Sequence, residues 1–497
     1  MNSLEPTLTN TMEAGEVLFS LIPEAIKSKL ITRQAFLVGG FLRDYFLCAE
    51  PLSAEKTDFD FVIFNEISLE ELVREISDAS DSSFVELDAE SQTYRVINEN
   101  WQADFAAPKG KTITEDLQAR DFTVNSIGFS LANLDIIDPM SGLQDLQNGI
   151  LRANHKDNLK DDPLRMLRAY RFCAQLKTHK NFSRSFILCP ETQKWIQEQK
   201  SLIHSVAPER ISYEIWQTLS SLSCFEALQL FLESGLWEEI FPEFTELRKV
   251  PENDFHHLPL IEHTFELINQ YENFVKPKLT PEYLRFIEEN HMSRIPLEAI
   301  IKMGCLLHDI AKPATWIIVA NKHTFHGHDA QGAEITDKIG KRLLWPKAVT
   351  QCLHNLVQYH LRPFHIAPLE NEPTDKAERR FFRKLENSFY PLIALAWADL
   401  LSTRGPMISQ EAIEMSEKRL LKLCENYQIF CKQEEQEPLL LKGALLEQAI
   451  QESGLPKTKL IKELLSELRE LQLGKVISSP EEAYAWFIKK GRETIKG

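Results

Sequence analysis

Gly39-Gly40-Phe41-Leu42-Arg43-Asp44, followed after a short gap by Asp58-Phe59-Asp60-Phe61-Val62-Ile63, couples a glycine turn to two carboxylates at strand spacing. The apolar run Ala35-Phe36-Leu37-Val38 reads as a strand. The two glycines permit a tight turn with close backbone approach to a phosphate, and Phe41 to Leu47 reads as a helix beginning. Amide groups at that helix N-terminus would face a triphosphate. Thr57 to Phe64 reads as a second strand, in which residues two apart share a face, so Asp58 and Asp60 present their carboxylates together. Two like charges that close repel unless cations lie between them. Magnesium suits the case, because it accepts carboxylate and phosphate oxygens and stabilises both the attacking and the leaving oxygen of a phosphoryl displacement. Either half alone reads equally well as a surface hairpin with solvated aspartates. Together, in this order, they point to metal-dependent nucleotidyl transfer chemistry.

The chain has 497 residues, 43% apolar and 26% charged, which places it among ordinary globular proteins long enough for several domains. Its net charge of -17 argues against nucleic-acid binding only as an average. A local basic track is sufficient, and Arg165, Arg168, Arg171, Lys177, Lys180 and Arg184 supply one. The eight cysteines include no C-x-x-C pair, so neither a zinc ribbon nor a disulfide framework is expected, and reduced thiols fit better. No basic start followed by an apolar core opens the chain, and no apolar run approaches the roughly 20 residues that span a bilayer. A soluble, cytoplasmic protein without a membrane partner is expected.

Further motifs follow in order: Leu117-Gln118-Ala119-Arg120-Asp121-Phe122-Thr123-Val124-Asn125-Ser126, Asp138-Pro139-Met140-Ser141-Gly142, Asp161-Asp162-Pro163-Leu164-Arg165-Met166-Leu167-Arg168-Ala169-Tyr170-Arg171-Phe172, and Pro208-Glu209-Arg210-Ile211-Ser212-Tyr213-Glu214. With the opening pair they resemble the class II (bacterial-type) tRNA nucleotidyltransferase and poly(A) polymerase family, over roughly residues 30 to 220. The resemblance implies that Asp58 and Asp60 bind catalytic magnesium, with Asp104 a candidate third catalytic carboxylate. It makes Gly39, Gly40, Arg43, Asp44, Arg120, Asp121 and Asn125 nucleotide-binding candidates at the triphosphate and ribose. Ala119 departs from the pattern, since many relatives carry a second arginine there, and a charged contact from that position is excluded. Asp162 and Arg165, three apart, fall on one face of a predicted helix and offer acceptors and a planar donor fork. In the family such a pair reads the Watson-Crick edges of cytosine and adenine in place of a nucleic acid template. The same residues also read as a capped helix start, with Asp161 as N-cap and Pro163 in the first turn. Arg168 and Arg171 continue the basic side of that helix, as further nucleotide-binding candidates and as contacts for RNA phosphate, although arginines on a helix also read as a solvated face. The implied activity is addition of CMP and AMP from CTP and ATP to the 3' end of tRNA, as CCA addition or repair. Poly(A) polymerase and A-only or CC-only addition are alternatives built from the same parts.

A second constellation resembles the HD phosphohydrolase superfamily: His263, then Leu307-His308-Asp309-Ile310, His326-Gly327-His328-Asp329, His360, and Asp399 in Ala396-Trp397-Ala398-Asp399. The resemblance implies that His263, His308, Asp309 and Asp399 ligate a divalent metal of unidentified element. His328 and His360 complete a second position, for which His326 and His354 compete. An intact set implies phosphohydrolase chemistry on RNA ends. A metal that only staples helices is the plainer alternative.

The expected fold is α+β. Residues 1–29 form an N-terminal helical extension, with Val17, Leu18, Leu21, Ile22 and Ile26 at helical spacing. A mixed sheet with helices follows in a catalytic domain over 30–155, then an all-α base-selecting and RNA-binding neck over 156–252, an HD domain over 253–405 and a helical tail over 406–497. Asn253-Asp254-Phe255-His256-His257-Leu258-Pro259 marks the junction before the HD helices, Glu370 to Asp375 an acidic loop, and Gly405-Pro406 the end of that region. The tail reads as helical packing, a tRNA cradle or a subunit contact.

Overall fold

Alternation of aromatic and acidic residues in Thr57–Ile63 requires a strand with one face in the core. A computed structural model, which describes residues 11–47, 57–64, 68–177, 186–250, 258–320, 322–366, 375–403, 409–455 and 459–496, places it there. Lys180, Arg184, the side chain of Lys177, residues 253–257 with His256 and His257, residues 370–374 of the acidic loop, and Gly405-Pro406 lie outside the described residues.

The N-terminal amphipathic stretch is not one helix but two, α1 (Thr11–Leu21) and α2 (Glu24–Leu30). Pro23 divides them, because a residue preceding proline is pushed out of the helical region and Pro itself suits a helix start. Leu18, Ile22 and Ile26 turn inward, while Val17 and Leu21 remain exposed.

Seven strands follow: β1 (Ala35–Val38), β2 (Thr57–Ile63), β3 (Ser83–Asp88), β4 (Thr93–Ile97), β5 (Trp101–Ala106), β6 (Gly128–Ser130) and β7 (Ile136–Ile137). Their order in the sheet is β3-β4-β5-β2-β1-β6-β7, with β2 at the centre. β2 runs parallel to β5 and antiparallel to β1. The period-two rule separates its side chains cleanly. Phe59 and Phe61 stack in line with Phe105 (ring centroids 6.2 and 5.4 Å apart) on one face, and Phe41 joins from α3 (Gly40–Leu47). Asp58 and Asp60 take the other face, where Phe36, Val38, Val62, Phe64 and Leu117 form a small apolar cluster. Helix α4 (Leu69–Ala79), capped by Ser68 onto Glu71 N, buries Leu69, Leu72, Val73 and Ile76. Two further short helices, α5 (Ile113–Gln118) and α6 (Gly142–Asn148), flank the segment carrying Arg120, Asp121 and Asn125.

Beyond the sheet the described residues are helical, with only short two- and three-residue strand pairs. The helix expected to begin at Asp161 is interrupted. Helix α7 (Lys156–Asp161) ends there, Asp162 is extended at φ -136°, and α8 (Leu164–Lys177) starts after Pro163. Proline forces its predecessor out of the helix, so Asp162, not Asp161, caps α8 through Leu164 N to its Oδ1 at 3.3 Å. Asp162 and Arg165 therefore meet across a helix start and not along one helical face. Helices α9 (Pro190–Gln199) and α10 (Pro208–Leu219) lead towards the HD region.

Residues 1–360 with 397–408 form one compact unit, and 361–396 with 409–497 a second. In the second, the helices Gly443–Ser453, Lys459–Leu473 and Pro480–Lys496 enclose a core of Leu441, Leu464, Leu468 and Phe487. Arg383 and Arg469 converge on Glu434, and Arg379 and Arg383 on Glu470, tying Asp375–Leu385 and Gln410–Gln436 to the tail. Helical packing is what the described tail shows. All seven cysteines among the described residues are free, and no described helix is long and apolar enough to cross a membrane.

Gly39 has φ +81°, and a Cβ there would lie 2.7 Å from Asp60 Oδ2. Gly39→Ala should lower unfolding stability by about 1–2 kcal/mol from the left-handed conformation alone, read from the urea midpoint. The same substitution should cost less in an Asp60→Ala background, which removes the contact. Additive effects would show that Asp60 does not press on this turn.

Candidate active site and a buried metal-ligand cluster

The turn, the acidic face of β2 and the start of α8 surround one cavity of about 480 Å³. Its lining unites Gly39, Gly40, Arg43, Asp60, Arg120, Asp121, Asn125, Asp162, Arg165, Arg168 and Arg171, eleven residues singled out above. Asp44, Asp58 and Asp104 are not part of it. Asp58 stands two residues along β2, exposed, and Asp104 lies opposite Asp60 in the parallel β2–β5 register.

The electrostatics are those of crowded acids. Burial, then the neighbouring Asp58 charge, pushes the Asp60 carboxyl up to about 6, against the pull of Arg120. Partial desolvation of its carboxylate against the strand, and then the Asp104 charge, raise Asp58 although the residue is exposed. Asp104 itself is gripped by the Arg95 fork of β4, at 2.6 and 2.7 Å. That bidentate pair engages both carboxylate oxygens, so Asp104 adds negative field to the pair while Arg95 holds its oxygens.

Four of the five cavity arginines, Arg43, Arg120, Arg168 and Arg171, have a built-in counter-ion, while Arg165 donates to the Asn158 carbonyl at 3.2 Å. Arg43 donates to Asp44 at 2.7 and 2.9 Å and to Asn125 Oδ1 at 3.0 Å, which makes Asp44 a partner of Arg43. Arg120 bonds to the buried Asp116, whose other oxygen accepts Lys109 N. Asp121 is buried, and burial alone would raise it. The Arg168 guanidinium at 2.7 Å, with bonds from Asn125 and Phe122 N, holds it below the ordinary value. Asp121 thus anchors Arg168. Arg171 donates to the buried Glu214 at 2.6 Å, and Arg210 reaches Asp162 at 3.4 Å. Arg210 and Glu214 were quoted above without a role. Their spacing of four on α10, which sets both on one helical face, was the available signal. Lys109, Asp116 and Phe172, which also line the cavity, carried no comparable signal.

The second constellation also converges. His263 comes from the helix Leu260–Gln270, His308 and Asp309 from the end of Leu297–Leu307, His328 from the start of His328–Arg342, His360 from the end of Lys347–Tyr359, and Asp399 from Phe389–Ser402. Two groups, His263/His308/Asp309 and Asp309/His328/His360, bring one ligand atom from each member within 4.8 Å of one another, and Asp309 belongs to both. Asp399 Oδ1 lies 3.4 Å from His263 Nε2. His308, His328 and His360 donate Nδ1–H to the carbonyls of Cys305, Phe325 and Val357 at 2.7–2.9 Å, and His263 Nδ1 meets Ser402 Oγ at 3.2 Å. A carbonyl accepts only from N–H, so these bonds fix the tautomer and leave Nε2 lone pairs directed inwards. His328 and His360 set their Nε2 atoms 3.2 Å apart, which requires a shared proton or a cation between them. His308 Nε2 and Asp309 Oδ1 are buried without a hydrogen bond. The donor set fits a divalent cation. Burial and the neighbouring His308 push His360 down to about 4, and burial lowers His263, both favouring the ligating form. Burial would raise Asp309, but His308 and the Lys312 ammonium at 2.6 Å hold it well below the carboxylate range. His326 is exposed and His354 pairs with Asp337, so neither joins the cluster.

Residues 35–152 match the poly A polymerase head domain, 185–247 the probable RNA and SrmB-binding site of polymerase A, and 288–413 the HD domain. His263 precedes the HD match and still enters the cluster. The chain is 28% identical to the A-adding tRNA nucleotidyltransferase of Deinococcus radiodurans over 472 residues, covering 93% of this chain and 96% of the relative. It is 29% identical to the CC-adding tRNA nucleotidyltransferase of Thermus thermophilus over 394 residues, covering 77% and 79%. Its fold is similar to the Thermotoga maritima CCA-adding enzyme solved with tRNA, at TM-score 0.54 and 17% identity, covering 95% of each chain.

The raised Asp60 carboxyl has a measurable consequence. Between the ordinary value of 3.8 and its own value of about 6, the folded protein holds a proton that the unfolded chain has released. The stability this contributes is present below the lower value and lost as pH rises through the upper one. A divalent cation held by Asp60 would have to displace that proton, so any melting-temperature gain from magnesium or manganese should be larger at about pH 7 than at about pH 5. Asp60→Asn should flatten that difference, and an unchanged difference would place the titration elsewhere.

Proposed function

We propose that this chain, which belongs to the tRNA nucleotidyltransferase and poly(A) polymerase family, transfers CMP and AMP from CTP and ATP to the 3' end of tRNA in the cytoplasm, as CCA addition or repair. The observation that carries the reading is one cavity lined both by the Gly39-Gly40 turn with Asp60 and by Asp162 with Arg165. A nucleoside triphosphate needs both: a cationic, amide-lined place for phosphates and a donor-acceptor pair for the base.

In this mechanism the terminal 3' hydroxyl oxygen attacks the α-phosphorus, the bond to the β-phosphate oxygen breaks, and pyrophosphate leaves. Asp58 and Asp60 would hold magnesium, which when bound lowers the pKa of the attacking hydroxyl and offsets charge on the leaving group. Arg43, Arg120 and the α3 amides orient the triphosphate, and Asn125, fixed by Arg43 and Asp121, stands ready for the ribose. Arg165 and Asp162 select the base, with Arg210 steadying the Asp162 carboxylate. Asp104 acts through its field on the pair. Arg168 and Arg171 are committed to internal carboxylates, which favours a role inside the cavity over contact with distant RNA phosphates.

The experiment supplies tRNA ending before CCA, or at CC, together with a generic RNA, and offers CTP, ATP or both. Incorporation of C then A supports CCA addition. C alone or A alone identifies the partial activities that the two curated relatives are named for, and long A tracts on generic RNA would replace the reading with poly(A) synthesis. Asp58→Ala should reduce incorporation about a thousandfold. Retained activity would remove Asp58 from the site.

A second reading is favoured by the inward-facing Nε2 atoms around Asp309: metal-dependent hydrolysis of phosphate ends or cyclic phosphates on RNA. Bound divalent metal, measured by elemental analysis of the purified chain, should fall in His308→Ala together with phosphate release. Undiminished metal content would show that His308 is not a ligand.

A further inference from the structure

Phe172, the last residue of the motif that begins at Asp161, lines the cavity yet is only 4% exposed. Its ring centre lies 5.1 Å from the Arg43 guanidinium carbon, 5.6 Å from that of Arg168 and 4.4 Å from that of Arg171. Behind it, Phe122 meets the ring edge to face at 5.7 Å and 85°. One buried aromatic ring thus stands among three guanidiniums brought by two helices. Arg43 comes from α3, which opens at the glycine turn, and Arg168 and Arg171 from α8.

We propose that Phe172 is a positioning residue for triphosphate binding: its ring sets the spacing of Arg43, Arg168 and Arg171, so that three cations form one preassembled cradle. The inference rests on the nucleotide-binding reading of this cavity. Three like charges so close repel, and Asp44, Asp121 and Glu214 neutralise them one by one at 2.6–2.7 Å. Each carboxylate draws its arginine towards a different element. The ring is the partner common to all three, and its negative face attracts cations without consuming an N–H donor. The donors that remain are therefore available to phosphate oxygens. Arg43 stands in the first turn of α3, beside the glycine turn, and the three guanidiniums that share the ring do not include that of Arg165, so the ring should govern phosphate affinity and leave base choice alone.

The test compares the full wild-type chain with Phe172→Leu and Phe172→Tyr by calorimetric titration of tripolyphosphate, CTP and ATP, at a temperature where circular dichroism shows each protein folded. Phe172→Met takes the place of the leucine variant should that fail to fold. The non-aromatic variant should weaken tripolyphosphate and both nucleotides about tenfold, leave the CTP to ATP affinity ratio unchanged, and raise KM more than it lowers kcat. Tyrosine should restore affinity to within about twofold. Unchanged affinity in the leucine variant, an equal loss in the tyrosine variant, or an altered CTP to ATP ratio with tripolyphosphate unaffected would each overturn the proposal. A wild-type chain that binds tripolyphosphate in a Phe172-dependent way but incorporates no nucleotide would sink the transfer reading and leave this one standing.

Discussion

Two carboxylates on one face of the central strand repel each other, and the sheet keeps them there because the other face of the same strand cannot leave the core. Holding Asp60 ionised at neutral pH against a carboxyl pushed to about 6 costs on the order of 3 kcal/mol, less whatever solvent screening relieves. Burying Phe59 and Phe61 returns roughly 1.5–3 kcal/mol each. A one-residue slip of β2 would break the stack of Phe59 and Phe61 on Phe105 and carry both carboxylates, still side by side, into the aromatic layer. The aromatic stack therefore fixes the register, and the register fixes the acid pair. Burial and repulsion that the fold tolerates in this way would be relieved by a cation held between the two carboxylates.

The rest of the cavity solves the opposite problem, too many cations, by a different device. Arg43, Arg120, Arg168 and Arg171 are each matched to a carboxylate within about 3 Å, at Asp44, Asp116, Asp121 and Glu214. Pairs that are partly buried hold their geometry better than exposed ones. A polyanion that entered would meet guanidiniums whose positions are already set, so little ordering would remain to be done on binding. The overall charge of -17 coexists with this basic pocket because the acids lie both on the outer surface and directly behind the arginines.

Chemistry-bearing residues were legible in the sequence wherever local pattern decides their direction. The alternation in Thr57–Ile63 predicts that Asp58 and Asp60 share a face, and the α+β class follows from where strand-like and helical runs fall along the chain. Local pattern failed where proline rules override periodicity: Pro23 splits the first helix, and Pro163 moves Asp162 off the helix it was assigned to. Tertiary partners were illegible for a different reason. Nothing within a few residues of Asp104 announces Arg95, which arrives by cross-strand register, and nothing near Asp121 announces Arg168, which closes on it from α8. His326 and His328 stand in one short stretch and only the second turns inward, because it opens a helix with its Nδ1 tied to Phe325 O.

Helix α10 explains why the cavity wall and the histidine cluster hold fixed positions in the same unit. On one side Arg210 and Glu214 hold Asp162 and Arg171. On the other, Ser212 Oγ donates to Leu343 O at 2.5 Å and Trp216 packs edge to face on Trp345, just past the helix that His328 opens. Just past its end, Ser221 O accepts the buried Lys302 ammonium at 2.6 Å, on the helix that leads into His308 and Asp309. Lys302 is itself neutralised by Glu272 at 2.9 Å, so this bond holds a desolvated charge that could not be left unpaired without a cost of several kcal/mol. A helix pinned in this way cannot tilt without breaking a buried polar contact at one end or exposing an ion pair at the other. The motif Pro208 to Glu214 therefore acts through position: it joins the cavity wall at Asp162 and Arg171 to the helices that bear the histidines.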